Sequence, residues 1–100
     1  MLGTLFVVIE SEKEEDYNRI KEQLMAINPE FSISPYKDSM FTAQAIEFYA
    51  TFHIEEKAVD ALLAQLNNDW DGEHDDCIAY GFNTRMFDPQ VYYLAFQLYE

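Results

Sequence analysis

Nine residues from Ile46 to Ile54 alternate strictly between apolar and other side chains. Ile46, Phe48, Ala50, Phe52 and Ile54 fall on one side, and Glu47, Tyr49, Thr51 and His53 on the other. That period of two is the signature of a strand with one buried face. A slip of one residue would expose the whole apolar set, so the register is pinned. A chain carrying such a strand has to build a sheet and cover one face of it.

The flanking segments supply the cover. "TLFVVI", residues 4–9, is a continuous apolar run of the kind found in a central strand buried on both faces. In "SEKEEDYNRIKEQLMAINP", Ser11 with Glu14 three residues later forms a capping-box pattern. Glu12, Glu14, Glu15 and Asp16 suit the positive end of a helix dipole. Tyr17, Ile20, Leu24 and Ile27 make one helical stripe, which Asn28-Pro29 ends. "FSISPY" suits an edge strand because of Pro35, and "KDS" a turn.

"EEKAVDALLAQLNN" predicts a second helix with Val59, Leu62, Leu63 and Leu66 buried, closed by a left-handed Asn at 67–68. "CIAYGFN" predicts a strand with Ile78, Tyr80 and Phe82 on one face. In "DPQVYYLAFQLYE", Tyr92, Leu94, Phe96 and Leu98 alternate as in a strand. Val91, Leu94, Ala95 and Leu98 also fit a helix capped by Asp88-Pro89, but the aromatic density favours the strand. The expectation is an α+β domain spanning residues 1–100, in the order β-α-β-β-α-β-β. Such a chain makes a two-layer ferredoxin-like sandwich, an antiparallel sheet with two helices on one face.

Charge narrows the functional classes. Nineteen acidic residues against six Lys and Arg leave a net charge of −13. Such a surface repels nucleic acid and anionic membrane and attracts basic proteins. One cysteine, Cys77, excludes an internal disulfide and fits a reducing compartment. The amino-terminal run lacks the basic start and cleavage site of a signal peptide and is too short to span a membrane. A cytoplasmic protein is expected.

The acids concentrate in "NNDWDGEHDD". Asp69, Asp71, Glu73, Asp75 and Asp76 surround Trp70 with no Lys or Arg among them. Asp69, Asp71 and Glu73 begin like a calcium loop, but Gly72 falls at the fourth position and Tyr80 stands where the bidentate Glu belongs. His74 has no partner histidine at helical spacing. No metal and no cofactor are expected. As a docking surface, the acids would steer a basic partner while Trp70 anchors it. Alternatively, Trp70, four residues after Leu66, closes the second helix against the core.

Tyr49, Tyr93 and Tyr99 are expected on the sheet face opposite the helices, where tyrosine suits a half-wet interface. That face fits a protein partner or a homodimer equally well. Neither a phosphate-binding loop nor a nucleophile motif occurs. His53 stands alone, and the acids beside Cys77 oppose thiolate formation. Arg19 and Arg85 are the only arginines. Binding, not catalysis, is therefore expected.

These features resemble, in physical character and without any family motif, a bacterial immunity protein that neutralises a nuclease-type toxin, or a nucleic-acid-mimicking inhibitor. The expected site is Asp69, Trp70, Asp71, Glu73, Asp75 and Asp76, with Tyr49 and Tyr93 on the open face. The alternative is a dimeric regulatory or ligand-sensing module. Against it, the acidic helix start after "TLFVVI" is hostile to anionic ligands.

Overall fold

A computed structural model describes residues 1–40, 42–67, 69–81 and 86–99. The elements are β1 (Leu2–Ile9), α1 (Glu14–Ile27), β2 (Ser32–Ile33), β3 (Lys37–Asp38), β4 (Ile46–His53), a 3₁₀ turn (Glu56–Ala58), α2 (Val59–Leu66), β5 (Asp71–Glu73), β6 (Asp76–Tyr80) and β7 (Val91–Tyr99). The fold is α+β, an open antiparallel sheet of seven strands with two helices. Strands run β2-β4-β1-β7-β6-β5, and β3 also pairs with β4.

The sheet is built on β1, which pairs with β4 on one side and β7 on the other. One core cluster joins Leu5, Val7 and Ile9 to the apolar row of β4, to Leu94 and Phe96, and to both helical stripes. Tyr17, Ile20 and Leu24 of α1 are buried, as are Val59, Leu62, Leu63 and Leu66 of α2. The β4 alternation holds: Phe48, Ala50 and Phe52 are buried while Tyr49 and His53 are exposed.

Five local expectations are corrected. The capping box does not form. α1 starts after Lys13, and Ser11 instead accepts from Lys13 N (3.0 Å) and donates to Asp16 Oδ2 (2.5 Å). With Lys13 at the N-cap position, Ser11 lies too far ahead of the helix to serve as its cap. Asn67 closes α2 with extended backbone (φ −162°), since its amide oxygen accepts from Asp69 N at 2.7 Å. Lys37–Asp38 is a short strand on the β4 edge and not only a turn. The acidic segment is a hairpin, adding β5 to the expected strand order.

The fifth correction concerns β7. A bulge opposite Val8 and Ile9 pairs Val8 with Tyr93 and Ile9 with Val91. Tyr92 is the extra residue, so it leaves the Leu94 row and Val91 takes its buried place. Asn68, the other residue expected to close α2, and Phe82 and Arg85 lie outside the described residues.

Candidate partner-binding surface

Directly paired residues in a sheet share a face. The register therefore places Tyr49, Phe6, Ala95, Ile78 and Asp71 in one row across five strands. A neighbouring row carries Glu47, Val8, Tyr93 and Tyr80, and another Thr51, Thr4, Gln97, Asp76 and Glu73. None of these open-face residues belongs to the core cluster.

Rings knit the first two rows together. Phe6 lies 5.0 Å from Tyr49 and 6.2 Å from Tyr93, centroid to centroid, and Tyr93 lies 5.0 Å from Tyr80. Tyr80 also meets Tyr92 edge-on at 6.4 Å. Burial pushes the Tyr93 hydroxyl pKa above its ordinary value, and neighbouring Tyr80 and Asp76 push it the same way. At the rim, Tyr49 is 48% exposed, Tyr99 47% and Leu2 38%.

The face is closed at one end. Val8 is fully buried and Glu47 nearly so. Glu47 Oε1 accepts from Met40 N at 2.9 Å, which ties the β3–β4 connection to this edge.

At the other end stands the acidic hairpin. Asp71 and Glu73 of β5 and Asp76 of β6 are exposed and share the face of Ile78 and Tyr80. Gly72 makes this hairpin achievable. Its φ of +121° suits glycine, and a Cβ there would come within 2.5 Å of Asp76 O. Asp69 and Asp75 are exposed outside the strand pairs. Asp75 O accepts from Leu98 N at 2.9 Å, which holds the turn against β7. Among the described residues, none of the five acids forms an ion pair with Lys or Arg. No three metal-ligating groups converge among the described residues.

Trp70 points the other way. Its Nε1 donates to Leu63 O at 2.8 Å, and the ring packs against the core beside α2. It fastens the hairpin to the helix and is not part of the tyrosine face. Cys77, inward on β6, is buried; burial first, then Asp76 and Asp75, push its thiol up to about 11. His53 is exposed at the end of β4, beside the paired Leu2 of β1.

Sequence reasoning therefore located Tyr49, Tyr93 and the acids. It missed Phe6, Ile78 and Tyr80 as members of one surface. Phe6 sits inside an apolar run that gives no hint of facing, and only its pairing with Tyr49 reveals it.

No protein-family model matches the chain, and no curated protein or solved structure shows significant similarity to it. Among the described residues, no helix is long and apolar enough to cross a membrane.

Proposed function

We propose that this chain is a small acidic inhibitor that binds and blocks a basic protein in the cytoplasm, acting by occupation and not by catalysis. A nuclease-type toxin neutralised by an immunity protein is the partner class that fits best, and a nucleic-acid-mimicking inhibitor has the same physics. One observation carries the reading: an aromatic row across the sheet ends in Asp71, Glu73 and Asp76 on the same face. Rings supply contact area that excludes water, and unpaired carboxylates take the places of phosphates in a basic groove.

The fold reading extends in the same direction. With the hairpin and β3 set aside, the order β2-β4-β1-β7 matches a split β-α-β arrangement, which supports a two-layer ferredoxin-like sandwich extended at one edge. Such a sandwich leaves one sheet face free for binding.

The test is retention of a basic protein from host lysate at low and high salt, beside a variant with the five hairpin acids neutralised. The retained protein is then purified and its nuclease activity assayed with and without the chain. Inhibition by the wild type, lost in the variant and weakened by salt, is expected. Retention without any effect on the partner's activity sinks the inhibitor reading.

A second reading rests on the exposure of Tyr49, Tyr99 and Leu2, which suits a homodimer through the same face. A dimer on a sizing column, with no protein retained, favours it.

A further inference from the structure

Ile78 stands half-buried on the open face of the sheet, with Asp76 before it and Tyr80 after it on the same side of β6. Across the ladder it pairs with Asp71 of β5 and with Ala95 of β7. Ala95 pairs in turn with Phe6 of β1, and Tyr93 and Gln97 flank it along β7. Directly paired residues stand roughly 5 Å apart, and alternate residues of one strand about 7 Å. These side chains therefore form one patch.

Its centre is low. Ala95 ends at its Cβ, whereas Phe6, Ile78, Tyr93 and Gln97 around it are all longer. Rings border the dip on one side, with Tyr93 and Tyr80 5.0 Å apart between centroids. Carboxylates border it on the other: Asp71 and Asp76 are exposed and have no Lys or Arg partner among the described residues. Burial first, then Tyr80 and Asp76, push the Tyr93 hydroxyl pKa up, so Asp76 lies within electrostatic reach of that ring.

We infer that an arginine side chain of the basic partner lies in this dip, its stem over Ala95 and Ile78 and its guanidinium between the tyrosine rings and the two carboxylates. A methylene stem covers apolar surface while its charged head stays at the wet rim. A guanidinium is planar and weakly hydrated, stacks on aromatic faces, and meets a carboxylate with two parallel hydrogen bonds. A lysine ammonium matches the charge but neither the rings nor the paired oxygens.

That a protein supplies the arginine rests on the proposed function; the dip and its walls do not. The wild-type chain is titrated at low salt with acetyl-triarginine amide and, at equal charge, acetyl-trilysine amide. The methyl resonances of Ala95 and Ile78 are followed by NMR. The Trp70 indole N–H, bound to Leu63 O on the helix side, is the off-site control. Saturable shifts at Ala95 and Ile78 are expected, with Trp70 unmoved and triarginine about fivefold tighter than trilysine. Asp71→Asn and Asp76→Asn each weaken triarginine by about tenfold. Ala95→Leu, outside the core, fills the dip without changing charge and loses most of the response. Circular dichroism checks its folding, and the two Asp variants carry the test if it does not fold.

Shifts that never saturate, that miss Ala95 and Ile78, or that survive both Asp variants overturn the site, as does wild-type binding by folded Ala95→Leu. Equal affinity for trilysine overturns the choice of guanidinium. If triarginine binds at Ala95 while a retained partner keeps its full activity, the inhibitor reading alone fails. If the partner is inhibited while triarginine does not bind, the arginine site alone fails.

Discussion

Arg19, on α1, holds both carboxylate oxygens of Asp88 at 3.1 Å across 69 residues of chain. Asp88 is almost wholly buried just before β7, and its Oδ1 also accepts from Gln90 N at 2.9 Å. Arg19 reaches Asp16 Oδ1 at 2.7 Å and the Gln90 side-chain oxygen as well. This network fixes the start of the C-terminal strand against the first helix. Asp88→Ala should cost about 2 kcal/mol in urea unfolding, the loss of a charge-assisted pair whose other member still reaches Asp16 and water.

The same carboxyl sets a pH dependence. Burial raises its pKa, but hydrogen bonds from Arg19 and Gln90, with the guanidinium charge, outweigh burial and hold it below 3.8. A depressed folded pKa gives stability that is present above the unfolded value and lost as pH falls through the folded one. The stability gap between wild type and Asp88→Asn should therefore be full at about pH 6 and shrink below pH 3.8. A gap that stays constant down to about pH 2 contradicts this account.

Cys77 gives the opposite sign. Its thiol, pushed up to about 11 chiefly by burial, favours the folded state less as pH rises past the ordinary value of 9.0. Ellman's reagent should leave native protein unmodified at neutral pH and modify it promptly in urea. Cys77→Ser should flatten the alkaline loss of stability.

Gly72→Ala places a Cβ against Asp76 O in a backbone conformation hostile to L residues. A cost of about 1–3 kcal/mol is expected from such strain. Because the strain sits in the hairpin, partner retention should fall along with stability.

Tyr49→Ala removes a ring that is half exposed and lies outside the core. Stability should change by less than about 1 kcal/mol. Partner affinity should fall by about 2 kcal/mol if the ring is a hot spot. A partner bound as tightly as before would move the interface off the tyrosine face.

Most of the fold was legible because its central elements carry strong periodicity. Ile46 to Phe52 and most of the stripes of α1 and α2 bury what their spacing predicts, since packing and pattern agree there, while Ile54 and Ile27 at the ends are only partly buried. The C-terminal strand was ambiguous because its bulge at Tyr92 breaks the alternation where a helical reading begins to fit. The β5 strand was invisible: Asp-Gly-Glu has no strand propensity and forms only because β6 supplies its partner. Capping failed at Ser11 because α1 begins two residues later than the box requires, with Lys13 at the N-cap position, so Ser11 accepts from Lys13 N and not from the third residue of the helix. The candidate surface was half legible, its tyrosines by alternation and its extent only by register.

The short acidic β5 also has a consequence for behaviour at high concentration. An outermost strand offers unpaired backbone groups that can template another chain. Here that edge is three residues long, and two of them are exposed carboxylates. A second copy approaching in register would set Asp71 and Glu73 against their own equivalents. The carboxylates that would draw in a basic protein therefore also oppose the pairing of another copy at this edge.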